Sequence, residues 1–270
     1  MDIIEEVQKK AKEIGHCLCD LNQKCPCKEF MDTGNCRCSL LETKMIKNSP
    51  AELAKIPLKD DSEIRRVEII MLKFKEPEVE IEALNHIIEN TDHPFKLTIF
   101  DNRLNLPNTS RIWNALIRES NCDYICILDS DVFVSKKWLT RLMETFEKPD
   151  CYAVLPVTNK TSGKQHRAEK ALSYPQEPIL VNRIFAAQIV LYKKEIFNKI
   201  GYFDEEFYIY GQDSEWSHRL LKSEFNAYIR PDVWVEHMGS YSLNKAAKEG
   251  NYDKGLERKY SKMLFRQKTR

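Results

Sequence analysis

From residue 67 onward the chain alternates short runs rich in β-branched residues with segments whose apolar positions recur at helical spacing. The pattern predicts strands at 67–72, 96–100, 124–128, 152–155 and 184–192, and helices at 79–88, 110–119, 136–146 and 214–222. In the first helix Val79, Ile81, Leu84, Ile87 and Ile88 approximate one face. The run 124–128 is apolar throughout, as a strand covered on both faces should be. Strands alternating with helices are the pattern of βαβ units, so an α/β domain with a largely parallel sheet is expected. Upstream, 48–61 carries Pro50, Pro57 and a polar run without either periodicity, which places a linker there. No internal repeat is visible.

Composition narrows the class. The 270 residues are 42% hydrophobic and 31% charged, the balance of a globular chain with room for one domain and a small appendage. Lys and Arg number 42 against 41 for Asp and Glu, so no global field favours nucleic acid or an anionic membrane. The longest apolar runs fall well short of the roughly 20 residues that a membrane-spanning helix needs. The opening residues, with Asp2, Glu5 and Glu6, do not read as a signal peptide, and a cytoplasmic address is the expectation. Charge is local at the other end. Seven basic residues (Lys254, Arg258, Lys259, Lys262, Arg266, Lys268, Arg270) face a single acidic one, Glu257, with Leu256, Tyr260, Met263 and Leu264 interspersed. Such a segment reads as a helix that docks on the domain before it, rests peripherally on anionic lipid or nucleic acid, or is simply solvated.

Candidate chemistry lies at two strand ends. Open α/β sheets bind ligands outside the carboxyl ends of their strands. Asp101 directly follows the strand 96–100, and Asp129-Ser130-Asp131 directly follows 124–128. Carboxylates two apart at a strand end can point to the same side and offer oxygens to Mg²⁺ or Mn²⁺. Taken alone, the pair is explained as well by capping.

The ordered series resembles the family 2 glycosyltransferases of the GT-A fold over about 67–240: Phe100-Asp101-Asn102, Asn114-Ala115, 124–134, Ile200-Gly201-Tyr202-Phe203-Asp204-Glu205, Gly211-Gln212-Asp213 and Val235-Glu236-His237. The resemblance implies a Rossmann-like, mixed and mostly parallel sheet. It also implies a nucleoside-diphosphate sugar donor, UDP- or GDP-linked, and Mn²⁺ or Mg²⁺. Asp101 would then contact the base, Asp129 the ribose or metal, and Asp131 the metal, with His237 as a further ligand. Asp213 would be the catalytic base of an inverting transfer to an acceptor hydroxyl, and no motif chooses that acceptor. Arg103-Leu104, Gln212 and Ala186-Ala187 depart from the family pattern without removing a proposed ligand. On local sequence alone Asp213 reads as the N-cap of a helix beginning at Ser214, and His237 as a packed strand-end histidine. Trp216 and Arg219 could serve a sugar and a diphosphate, yet read more simply as core and salt bridge, and the aromatics Phe203, Phe207, Tyr208 and Tyr210 as core or acceptor channel. Two other readings stay open: a nucleotidyltransferase on a related sheet, and a redox protein that uses this fold as a scaffold.

The first forty residues hold three CxC pairs: Cys17 and Cys19, Cys25 and Cys27, Cys36 and Cys38. Stable disulfides are disfavoured in a cytoplasmic chain, which leaves metal or redox chemistry. Cys25-Pro26-Cys27 followed by Cys36-Arg37-Cys38 resembles the catalytic subunit of ferredoxin-thioredoxin reductase. By that resemblance Cys17, Cys25, Cys27 and Cys36 would ligate a [4Fe–4S] cluster, and Cys19 and Cys38 would form a redox pair. The gap between the first two pairs is short for that family, and Arg37 stands where it has a histidine. A structural Cys₄ zinc site and uncommitted thiols are the other readings. The expected organisation is a Cys-rich module at 1–47, a linker at 48–62, a GT-A domain at 63–245 and a basic tail at 246–270.

Overall fold

The computed structural model describes residues 66–73, 77–102, 108–161, 163–167, 177–239, 241–248 and 253–269. The cysteine pairs at 17–38 and the linker lie outside them.

Strand β1 (Val67–Lys73) forms the centre of a parallel trio, flanked by β2 (Phe95–Asp101) and β3 (Tyr124–Asp129). The apolar runs, broken in β1 by the buried Glu68, explain this position. Val67, Ile69 and Met71 of β1, with Cys126 and Leu128 of β3, enter one core. The alternate residues Ile70, Leu72, Ile125 and Ile127 enter a second core on the other face. Residues of a strand alternate between faces, so a strand buried on both is apolar at nearly every position, and the one buried exception, Glu68, is paired with Lys96 at 3.0 Å and accepts from the Thr98 hydroxyl at 2.5 Å.

The cores are closed by helices. On one side lie α1 (Pro77–Asn90) and, after the short β4 (Val132–Phe133), α3 (Trp138–Glu144), which ends in a 3₁₀ turn at Thr145–Glu147. On the other lie α2 (Thr109–Glu119), α4 (Ile196–Ile200) and α5 (Gln212–Leu221). Strands β5 (Cys151–Thr158), β6 (Ile179–Leu180), β7 (Ile189–Lys193) and β8 (Asn226–His237) complete a sheet ordered β2-β1-β3-β7-β5-β8-β4, with β6 paired to β8. The strands β1, β2, β3, β5 and β8 run in one direction and β7, β4 and β6 oppose them, so the sheet is mixed and mostly parallel.

Several elements differ from the sequence pattern. In α1 the inner stripe is Ala83 and Ile87, both fully buried, while Ile81 and Ile88 are 57% and 37% exposed. The helix turns one residue off the expected face because Glu80, Ala83 and Ile87 share a stripe. The strand expected at 184–192 begins only at Ile189, and the backbone before it forms part of the site described below. Strand β8 escapes the apolar pattern because Arg230, Pro231 and Asp232 interrupt it. The register against β5 shifts there, and the buried Arg230 guanidinium pairs with Asp232 at 2.7 Å and Glu144 at 2.8 Å.

The basic C-terminal segment is a helix, α7 (Lys254–Lys268), preceded by α6 (Tyr241–Lys248). It docks. Ser261 and Leu264 are buried, the Tyr260 ring stacks 6.2 Å from Tyr208, and Phe265 meets His218 edge-on at 6.0 Å. No helix among the described residues is long and apolar enough to cross a membrane.

Candidate active site

The carboxyl ends of β2, β1 and β3 share one edge. In register Lys73 lies beside Asp101, and Leu72 beside both Phe100 and Asp129, so Asp101 and Asp129 end their strands on either side of β1. Asp129 is held by its backbone N–H, which donates to the Gln188 carbonyl at 2.8 Å. Past the turn at Ser130, β4 pairs antiparallel with the end of β8, setting Val132 opposite His237. Met238 N–H donates to the Asp131 carbonyl at 3.1 Å, and His237 N–H to the Asn159 side chain at 2.9 Å. This ladder brings a residue more than a hundred positions away against the Asp129-Ser130-Asp131 turn.

His237 Nε2 lies 3.1 Å from Asp131 Oδ1 and 4.0 Å from Asp129 Oδ2. One ligand atom from each of the three residues falls within 4.8 Å of the others. Two carboxylate oxygens and an imidazole nitrogen at that spacing fit a divalent cation, with the imidazole favouring Mn²⁺ over Mg²⁺. The electrostatics agree with the fit. Burial pushes the Asp129 carboxyl up to about 7, and the charges of Asp131 and Asp213 add to the rise against the opposing effect of His237. Asp129 still shows 43% of its side-chain surface to the cleft, so the recess is open on one side and a cation can reach it. Burial opposes protonation of His237, but the hydrogen bond to Asp131 and the two carboxylate charges outweigh it and raise its pKa.

Asp213 is not a helix cap. Helix α5 begins at Gln212 with Gly211 as N-cap, which puts Asp213 inside the first turn. Its Oδ1 accepts from Ser214 N–H at 2.7 Å, and its Oδ2 from Ala187 N–H at 3.2 Å. Burial nevertheless raises its pKa, despite these donors. The Ala186-Ala187 segment thus anchors the carboxylate instead of extending β7.

A cleft of about 720 Å³ contains Asp129, Asp131, His237 and Asp213 along its walls. Asp213 also lines a second pocket of about 190 Å³, together with Lys164, Arg183 and Ser214. Several cleft residues carry buried side-chain atoms with no hydrogen-bond partner among the described residues: Asn102 Oδ1, Gln188 Oε1, the Tyr210 hydroxyl, Gln212 Oε1 and His237 Nδ1. Buried polar groups are ordinarily paired, so such a concentration marks a surface shaped for a polar ligand.

Other sequence candidates turn out to be scaffolding. Trp216 is fully buried and donates to the Gly201 carbonyl at 3.1 Å. Arg219 forms a two-pronged pair with Glu215 at 2.7 and 2.8 Å. The motif residues Asn114 and Glu205 brace each other: Asn114 brackets the Phe203 backbone at 2.8 and 3.0 Å, and Glu205 accepts from Asn114 at 3.0 Å and Arg111 at 2.8 Å. Phe207 is core, Tyr208 stacks on α7, and Phe203 and Tyr210 line the cleft. Sequence reasoning left out Asn102, Trp113, Lys160, Lys254 and Arg258 as cleft residues. The last two were legible only as charge, since their placement depends on how α7 docks.

The family described as glycosyl transferase family 2 matches residues 68–215. Among solved structures the fold is similar to that of GalNAc-T7, crystallised with UDP, GalNAc and Mn²⁺, at a TM-score of 0.52 and 12% identity. The likeness covers 66% of this chain and 44% of that one, so the chain spans less than half of GalNAc-T7 and the resemblance is one of fold. No curated protein matches.

Proposed function

Since the chain belongs to glycosyl transferase family 2, we propose that it transfers a sugar from a nucleoside-diphosphate sugar to an acceptor hydroxyl by one in-line displacement that inverts the anomeric carbon. Asp129, Asp131 and His237 would hold a divalent cation, preferably Mn²⁺, and Asp101 at the same sheet edge would contact the nucleotide base. When bound, such a cation supplies positive charge beside the departing diphosphate.

The observation that carries this reading is the position of Asp213. It lies in the wall shared by the cleft that holds the Asp-Asp-His cluster and the smaller pocket beside it. An acceptor entering from the smaller pocket presents its hydroxyl to Asp213. A donor in the cleft presents its anomeric carbon. The Asp213 carboxylate takes the hydroxyl proton as the oxygen attacks, the sugar–phosphate bond breaks, and the nucleoside diphosphate leaves with the electron pair. Burial gives the carboxylate a raised proton affinity, which suits a base, while Ala187 N–H and Ser214 N–H keep it aimed.

The test is a screen of nucleotide sugars with Mn²⁺, following release of nucleoside diphosphate and the anomeric configuration of the product. Asp213→Asn should lower turnover by roughly 10²–10⁴-fold while leaving nucleotide binding in place. Asp131→Asn should lose both. Full turnover in Asp213→Asn, or release of pyrophosphate in place of a nucleoside diphosphate, would sink the proposal.

A further inference from the structure

Helix α7 lies beyond the segment matched by the family, 68–215. Two of its residues nevertheless line the cleft that holds the Asp-Asp-His cluster: Lys254 and Arg258, one turn apart on the same face. The helix is fixed where it lies. Its first turn is capped by Asp253, which accepts from Leu256 N–H at 2.9 Å, and Glu257 accepts from Ile209 N–H at 3.2 Å. Ser261 and Leu264 are buried, and Lys268 pairs with Glu206 at 2.9 Å. Lys254 and Arg258 are therefore presented by a docked element.

Their surroundings fit an anion. The Arg258 guanidinium sits 4.9 Å from the centroid of the Tyr210 ring, and the Tyr210 hydroxyl is buried without a hydrogen-bond partner among the described residues. Lys254 Nζ donates to Asn244 at 2.5 Å, which leaves further donors on that ammonium. Charge points the same way. The two charges of a divalent cation are balanced by Asp129 and Asp131 alone, so the negative charge of a diphosphate needs other cations. Those lining the cleft among the described residues are Lys160, Lys254 and Arg258.

We propose that Arg258, Lys254 and the Tyr210 hydroxyl bind the diphosphate of the nucleotide donor, so that α7 completes the donor site. A guanidinium fork, an ammonium and a phenolic O–H are donors of the kind that phosphate oxygens accept. The inference rests on the donor being a nucleoside-diphosphate sugar. It adds that the site is incomplete without a helix outside the family-matched region.

The experiment is calorimetric titration of the full-length protein with UDP, GDP, uridine and guanosine in the presence of Mn²⁺, at two salt concentrations. Wild type is compared with Arg258→Ala, Arg258→Lys, Lys254→Ala, Tyr210→Phe and, as a control on an exposed α7 position, Lys259→Ala. Arg258→Ala should weaken binding of the diphosphate by about tenfold and flatten its salt dependence, with nucleoside affinity unchanged. Arg258→Lys should recover only part, because an ammonium cannot make the two-pronged contact. Lys254→Ala and Tyr210→Phe should show smaller losses of the same kind, and Lys259→Ala none. Thermal denaturation of each variant checks the fold. Equal diphosphate affinity in wild type, Arg258→Ala and Lys254→Ala overturns the inference, as does an equal loss for nucleosides. A wild-type protein that binds neither diphosphate overturns it together with the nucleotide-donor reading, which separates the two failures.

Discussion

Gly211 is the residue on which the geometry of Asp213 turns. Its φ of +90° lies in the region that residues with a side chain rarely adopt, and an added Cβ would stand 2.9 Å from the Phe207 ring. Phe207 is itself fully buried, so the ring cannot swing away cheaply. Gly211→Ala should therefore cost about 1–3 kcal/mol and displace the first turn of α5, Asp213 included. Gly255, in the first turn of α7, offers the contrast. A Cβ there meets only Asp253 Oδ1 at 3.4 Å, and replacing glycine by alanine in a helix is favourable, so Gly255→Ala should stabilise by about 0.5–1 kcal/mol. Denaturant titrations of both variants measure the pair, and similar midpoints for the two would contradict the account.

Between elements, the loop at 203–210 is what joins the helix α2 to the cleft. Asn108, Ser110 and Asn114 on α2 and its cap all bond to that loop's backbone, and Glu205 closes the brace through Arg111 and Asn114. Burial of Glu205 raises its pKa, but the hydrogen bonds from Asn114 and Arg111 and the charge of Arg111 more than reverse this, and the net shift is downward. A carboxyl with a lowered folded-state pKa stabilises fully above its unfolded value, about 4.3 for Glu, and loses that contribution as pH falls through the folded one. The difference in melting temperature between wild type and Glu205→Gln should therefore be constant above about pH 5 and shrink as the medium is acidified. A difference that grew on acidification would reverse the sign and refute the brace. These elements were unequally legible in the sequence. β3 could be read as an uninterrupted apolar run, and β1 as one broken only by Glu68, because both faces of the sheet are covered. β8 was hidden by Arg230, Pro231 and Asp232, and the burial of Arg230 rests on ion pairs with Asp232 and Glu144 that no local pattern reveals. The role of Glu205 as a brace was equally hidden, since its partners lie about ninety residues away.

Across the whole molecule, the carboxylates at the strand ends were legible because Asp129-Ser130-Asp131 directly follows an apolar strand, whereas their partners depend on topology. His237 reaches them through the β4–β8 ladder, and Lys254 and Arg258 through the docking of α7. The assembled cleft then carries Asp129, Asp131 and Asp213 on its walls, and Asp129 is held up near 7 largely by burial and by its acidic neighbours. A diphosphate brought into that field alone is repelled by the same carboxylates. A divalent cation at the Asp-Asp-His cluster would neutralise the Asp129 and Asp131 charges and add open coordination positions for phosphate oxygens. The nucleoside diphosphate should therefore stabilise the folded protein only when the cation is present. With both present and the nucleotide at about 100 times its Kd, linkage supplies about 2.7 kcal/mol, which is several degrees of melting temperature at this size. UDP or GDP alone should give little or no shift, and Asp131→Asn should lose most of the joint one. A full shift from the nucleotide in the presence of a chelator would show that Asp129, Asp131 and His237 hold no cation that matters to the donor, and would leave α7 and the backbone to bind it.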